Sequence, residues 1–406
     1  MLPFYRKLEH DADFGGDLHG KGGPIWIERL KSSNWHPIVS AFYDSCRAMG
    51  FCDTPDFNDP ESTGVGPSAC NLREGTRVST AIGYLAPARN RLNLTIRGGC
   101  LAKRVAIENE RAVGVEVETT GSTQLVCAKR ITVSAGAVAS PAILMRSGIG
   151  SRAELERHGI RAVVDAPGVG ANLIDHPIVL MMADLSREAI QRSEGTEHSR
   201  PSALLRYTAS DSNEFNDMQL YFGPIFDWMM MSGFPVEPSA PPKLRVFPVL
   251  QRPRSRGRLT LLSANPTDQP NIELNLLADP EDMRRIIDGM RLARRVLRQP
   301  AVAAGWQGPI VGATGQVLDQ ATVDSDSALI DFIRNNCSTL NHPVGTVKMG
   351  PPNDSMAVVD QYCRVRGVEG LRVVDASVMP NIVRANTNLT CIMIGERVAD
   401  WMRMEV

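Results

Sequence analysis

The sequence predicts a mixed α/β (α+β) chain of two parts, one Rossmann-like and one built on a separate sheet. Three observations predict it. Residues 101–107 and 111–118 alternate apolar and polar side chains around Glu108, Asn109 and Glu110, as the two arms of a β-hairpin do. Residues 129–134 read as a strand that runs through Gly136 into a helical stretch ending near Met145, the strand–turn–helix of a nucleotide-side element. A middle third then carries three separated β-type runs, at 179–184, 217–222 and 244–250, which read as strands of one further sheet. A length of 406 residues accommodates two domains at roughly 100–200 residues each.

The remaining elements follow in order. Residues 38–49 have helical spacing and precede a turn-rich stretch at 52–66. Residues 84–90 read as a helix end and 93–97 as a strand. Asp279, Pro280, Glu281 and Asp282 open a helix: an aspartate cap, a proline in the first turn and two acids at the positive end of the dipole. That helix runs to about Leu297, and Ile286, Ile287, Met290, Leu292, Ala293 and Val296 form its apolar face. Residues 226–235 are the most apolar loop, either a lid over a substrate pocket or a methionine-rich packing patch, with the packing patch preferred.

Composition excludes several classes of function. Lys plus Arg (44) nearly balances Asp plus Glu (45), which leaves no electrostatic case for nucleic acid or an anionic membrane. The cluster at 252–258 reads as a turn with solvated arginines. Eight cysteines show no Cys-x-x-Cys pair and no zinc spacing, so reduced thiols and a cytoplasmic setting are expected. No apolar run reaches the roughly 20 residues of a membrane span. Neither a Gly-x-Ser-x-Gly elbow nor a His-Glu-x-x-His helix is present, which removes the α/β-hydrolase and zincin readings.

One motif carries chemistry. Asn341-His-Pro-Val-Gly-Thr-Val-Lys-Met349 is answered 44 residues beyond its histidine by Ala-Asn-Thr-Asn at 385–388. A base at His342 and an amide donor at Asn386 can address one substrate oxygen: imidazole takes a proton near neutral pH, and the amide donates without titrating. The residues alone leave a second reading open, in which His342 is a satisfied loop or core histidine.

Further blocks carry a resemblance to a known family. Residues 136–150, Gly-Ala-Val-Ala-Ser-Pro-Ala-Ile-Leu-Met-Arg-Ser-Gly-Ile-Gly, resemble the second signature of the glucose-methanol-choline (GMC) oxidoreductases, a family of flavin alcohol oxidases and dehydrogenases. Residues 168–177, 254–261, 371–380 and the 386–388 and 393–400 stretches match the same family in the same order. The resemblance is to its choline-dehydrogenase-like branch. It implies a flavin-binding Rossmann-like domain plus a sheet-based substrate domain, FAD as cofactor and a small primary or secondary alcohol as substrate. The electron acceptor is left open among oxygen, a quinone and a redox protein. The family's Gly-x-Gly-x-x-Gly turn, which holds the dinucleotide pyrophosphate on a helix N-terminus, is absent from these residues, so the flavin domain is expected to be N-terminally truncated.

By the same resemblance His342 is the base and Asn386 the donor at a place where relatives carry histidine or asparagine. Asp375 and Ala376 would contact the ribityl and pyrophosphate region, Asn341, Thr387 and Asn388 the flavin ring or its chain, and Ala102 the adenine. From the residues alone, Asp375 reads equally as a turn cap and Ala102 as ordinary strand packing. His176 lies in a segment that the family uses structurally and is left out of the catalytic set. The implied division is 1–75 (substrate-domain and lid elements), 76–175 (flavin), 176–330 (substrate) and 331–406 (flavin, with the active-site residues). Two alternatives stay open: a flavin-containing lyase like the plant hydroxynitrile lyases, and a non-catalytic remnant unable to hold flavin.

Overall fold

The computed structural model describes residues 1–193, 202–225 and 242–405; the apolar loop at 226–235 and His198 lie outside them. In chain order the principal elements are α1 (Pro37–Ala48), β1 (Gly64–Pro67), β2 (Ile131–Val133), α2 (Gly136–Arg146), β3 (Met181–Leu185), β4 (Ala203–Tyr207), β5 (Met218–Ile225), β6 (Lys243–Leu250), α3 (Pro280–Leu297), β7 (Trp306–Gly312), β8 (Leu371–Val373) and α4 (Asn388–Met404).

The middle runs form one antiparallel sheet in the order β7-β3-β6-β5-β4-β1. Its strands alternate, so one face is lined by Met181, Ala183, Leu220, Phe222, Leu244 and Val246 and packs on α1 and α3. Phe42 of α1 stacks on Phe222 with ring centroids 4.5 Å apart. Helix α3 is placed by its apolar stripe. Ile286, Met290, Leu292, Ala293 and Val296 are all buried, and burying one large side chain of this kind contributes roughly 1.5–3 kcal/mol. Asp279 caps the helix as expected, its carboxylate accepting from the Glu281 N–H.

The second core joins the ends of the chain. Leu8, Ile25, Ile131, Val133, Leu144, Leu371, Val373, Met393 and Val398 pack together, and β2 pairs with β8 in parallel, Ile131 against Leu371. The first 75 residues divide between the two cores. Phe4, Leu8 and Ile25 join the second, with the Tyr5 hydroxyl 2.8 Å from Thr390 Oγ1 of α4, whereas Leu30 through Val65 join the sheet core.

Three expectations need correction. Residues 93–97 form no strand: Leu92, Leu94 and Ile96 are exposed and no ladder pairs with them, so β propensity there has no partner to satisfy it. The hairpin at 101–119 forms, its Asn109 and Glu110 both at positive φ as a tight two-residue turn requires, but it gains an unforeseen third strand at Ser122–Cys127. In the arginine cluster, Arg256 is not a solvated side chain. Its guanidinium bonds Asn172 Oδ1 and the carbonyls of Pro253, Arg254 and Ser255, bracing the turn from within.

Candidate active site

Two short segments place the site. Pro177–Val179 pairs antiparallel with Cys337–Thr339, and beyond that ladder Leu340 N–H bonds the His176 carbonyl while Ile174 and Val344 exchange both backbone bonds. Running antiparallel on either side of this point, the two segments bring His176 beside His342. The turn after His342 depends on Gly345, whose φ is +90° and where a Cβ would lie 2.4 Å from the Asn172 carbonyl oxygen. Asp175 ties the pair together. It is 3 % exposed, and one of its oxygens accepts from the backbone N–H groups of both His176 (2.7 Å) and His342 (3.0 Å). Its other oxygen accepts from the Thr339 hydroxyl. Burial pushes the Asp175 carboxyl up, and these donors oppose the shift.

The side chains form a directed chain. His342 Nε2 lies 3.2 Å from Asn386 Nδ2, His342 Nδ1 lies 3.1 Å from His176 Nδ1, and His176 Nε2 lies 3.0 Å from the Val383 carbonyl. The carbonyl only accepts, so Nε2 of His176 carries that ring's proton. His176 is fully buried and its pKa is lowered to about 3, by burial first and by His342 second, so it is neutral and its Nδ1 is an acceptor. His342 must then donate from Nδ1, which leaves the Nε2 lone pair facing Asn386. Burial lowers the His342 pKa to about 4, so at neutral pH that lone pair is free of a proton. The Asn386 amide is itself oriented: Tyr221 O–H donates to its Oδ1 at 3.3 Å, and burial pushes the phenol up to about 12, keeping it a donor.

His176 was weighed and left out of the catalytic set, and Asp175 and Tyr221 were not singled out; the structure brings all three against His342 or Asn386. Asp175-His176 had a visible signal, since the dipeptide lies within the matched family block at 168–177. Tyr221 had none beyond its place on a predicted strand, because its partner is 165 positions away.

The sequence-derived cofactor residues fall into two groups. Asn341 (φ +61°), Thr387 and Asn388 lie within a few positions of the dyad, Asn341 and Asn388 exposed. Asp375 is 8 % exposed and its oxygens accept from Gly136 N–H, Ser140 Oγ, Ser377 N–H and Ser377 Oγ. Its carboxylate is therefore a clamp between α2 and the Ala376–Val378 turn, and Ala376 accepts the Gly345 N–H through its carbonyl. Ala102 stands apart on the hairpin, half-buried against the second core and paired with Val117.

These residues suit one end of a flavin. Helix α4 begins beside the dyad with no side-chain cap on its first amides, and Gly136 (φ +84°) opens α2 with nothing within 4 Å of where a Cβ would stand. The start of α4 has no side-chain cap, whereas the Gly136 N–H at the start of α2 is taken by Asp375.

With this geometry in view, the comparisons decide the family. Models described as GMC oxidoreductase match residues 2–178 and 253–395. An oxygen-dependent choline dehydrogenase of Brucella anthropi is 36 % identical over 98 % of this chain and 74 % of its own length. The chain belongs to the GMC oxidoreductase family. Membership brings FAD-dependent oxidation of an alcohol. A GMC-type oxidoreductase of Rhodococcus erythropolis is 34 % identical over 98 % of this chain and 75 % of its own. Among solved structures, pyridoxine 4-oxidase from Mesorbium loti superposes with a TM-score of 0.86 at 28 % identity, covering 99 % of this chain and 76 % of that one. A formate oxidase from Aspergillus oryzae gives 0.85 at 25 %, covering 100 % and 78 %. No helix among the described residues of this GMC oxidoreductase is long and apolar enough to cross a membrane.

Proposed function

We propose that His342 is the base and Asn386 the hydrogen-bond donor in the oxidation of a small primary or secondary alcohol. The supporting observation is the donor direction of the His176–His342–Asn386 chain. An alcohol oxygen entering between His342 and Asn386 replaces their mutual contact bond for bond: its O–H donates to His342 Nε2 and its lone pair accepts from Asn386 Nδ2. As the proton moves to Nε2, the amide steadies the alkoxide charge, while Tyr221 prevents the amide from flipping its oxygen into that place. His176 keeps the proton of His342 on Nδ1, so the reacting nitrogen starts unprotonated.

Asn341, Thr387, Asn388 and the start of α4 would hold the flavin ring end, with the Gly136 turn, Asp375 and Ala376 beneath its chain and Ala102 towards the adenine. Bound there, FAD supplies the two-electron acceptor for the carbinol hydrogen. The residues do the rest: they orient the alcohol, take its proton and stabilise the charge left behind.

The test is anaerobic mixing of flavin-loaded protein with an alcohol panel, followed by flavin absorbance. Wild type is expected to bleach, and His342→Ala to bleach slower by a factor on the order of 10²–10⁴, the span of positioned acid–base catalysis. An unchanged rate in His342→Ala would make that histidine structural, and alcohol turnover without bleaching would point to a lyase.

A further inference from the structure

The sheet face that looks towards the dyad carries a cation with no counter-ion among the described residues. On this face Tyr221 of β5 stands opposite Phe247 of β6, their rings stacked 5.0 Å apart, and Tyr221 reaches Asn386. Two residues along, Arg245 stands opposite Gly223 on one side and Met182 on the other, its guanidinium carbon 5.9 Å from the centre of the Phe247 ring. The neighbouring cations are all answered. Lys243, next on the same face, pairs with Asp184; Arg206 of β4 bonds the carbonyls of Phe57 and Ser62; Arg384 bonds the Phe215 carbonyl. Among the described residues nothing hydrogen-bonds or ion-pairs with the half-buried Arg245. Among the described residues a Cβ on Gly223, opposite Arg245, would meet nothing within 4 Å.

We infer that Arg245 receives an anionic end of the substrate, so that the alcohol oxidised here carries a carboxylate. This deepens the dyad assignment and rests on it for the position of the hydroxyl. A charge removed from water without a partner is unfavourable, and burial already holds this guanidinium below its usual pKa. A carboxylate offers the matching planar pair of oxygens for a bidentate contact. One negative charge neutralises one arginine, whereas a phosphate monoester dianion would leave a negative charge in the same half-buried place. Two residues of antiparallel strand span roughly 7 Å, which sets carbinol and carboxylate roughly three to five carbons apart. A quaternary ammonium would meet Arg245 as a like charge, so choline, for which the Brucella relative is named, is the wrong alcohol for this face.

The experiment has a binding arm and a turnover arm, both on the full chain. In the first, valerate, its neutral analogue valeramide and tetramethylammonium are titrated calorimetrically as unreactive probes. In the second, the flavin-loaded enzyme is given 5-hydroxyvalerate, 1-butanol and choline. Valerate should bind at least about tenfold tighter than either other probe, and 5-hydroxyvalerate should have the highest kcat/KM. Arg245→Met should lower the 5-hydroxyvalerate to butanol ratio of kcat/KM by about tenfold or more, with Arg245→Lys, which keeps the charge, recovering part of it. Valerate binding that depends on Arg245 while no alcohol is oxidised would support the anion site and sink the dyad. Choline preferred over 5-hydroxyvalerate, or a ratio unmoved in Arg245→Met, would overturn the inference.

Discussion

Two buried histidine sites in this protein use the same side chain for opposite ends. At His342 and His176 the ring nitrogens meet one another, an amide and a carbonyl, and both rings are kept neutral by burial. At His19, 5 % exposed, they meet carboxylates: Nε2 is 2.8 Å from Asp56, and Nδ1 is 3.3 Å from Glu9 and 3.2 Å from Asp11. Arg29 closes that second group by bonding Asp11 and Asp56. The first arrangement preserves a lone pair for a reacting proton. The second sets His19 against carboxylates and knits Glu9, Asp11, Arg29 and Asp56 with it into one buried network between the two cores. Burial alone therefore does not mark a catalytic histidine; the chemistry of its partners does.

The largest effect that would break this contrast is on stability. His19→Ala removes the imidazole that Glu9, Asp11 and Asp56 share and should cost about 3–5 kcal/mol, the range for breaking a buried charged group by removing one partner. Thermal unfolding checks it, and a variant as stable as wild type would show the cluster to be loosely held. An activity loss with unchanged stability would place His19 in the chemistry instead.

The next concerns His176, a positioning residue. His176→Ala should slow flavin reduction by about 10- to 100-fold, because the tautomer of His342 is no longer imposed. It should also change the acid side of the pH profile, which a purely structural defect would not. The sign follows from the lowered pKa values. Both histidines titrate near 6.5 when unfolded but only near about 3 and about 4 when folded. Between roughly pH 6.5 and 4 the unfolded chain binds more protons, so stability is lost as pH falls through that window. The thermal midpoint of wild type should drop across it, and that of His176→Ala should drop less. A wild-type midpoint flat from pH 6.5 to 4 would contradict neutral burial.

The smallest effect sharpens the comparison at its edge. Tyr221→Phe removes one neutral hydrogen bond to Asn386, worth about 0.5–1.5 kcal/mol, and should slow reduction roughly three- to tenfold while leaving substrate dissociation nearly the same. A weaker affinity with an unaltered reduction rate would assign Tyr221 to binding and not to amide orientation.

Much of this architecture was legible in the residues. The strands at β3, β5 and β6, the capped helix α3 and the strand–turn–helix at β2–α2 each follow from periodicity and caps, which are local. The partners of His342 were half legible. Asn386 came through the paired motif and the family resemblance, but His176 was left out because the family uses its segment structurally, and nothing local shows that residues 174–179 and 337–344 run side by side. Residues 93–97 failed for a related reason: a strand-like composition needs a neighbouring strand, and none is paired there. The clamp at Asp375 was foreseen as one of two readings, and its four accepted hydrogen bonds favour the turn cap for its carboxylate.

The two-residue period of β5 and β6 has an evolutionary consequence. Tyr221, Gly223, Arg245 and Phe247 share the face on which Tyr221 reaches Asn386, while Leu220, Phe222, Leu244 and Val246 between them look at α1 and α3. A lineage can therefore trade one set for another by single substitutions and acquire a new diet without reopening the packing beneath. The His342 turn, held by a separate ladder and by Asp175, is not disturbed by such changes. Alternation along a strand thus lets one oxidative apparatus be retained while its choice of alcohol drifts.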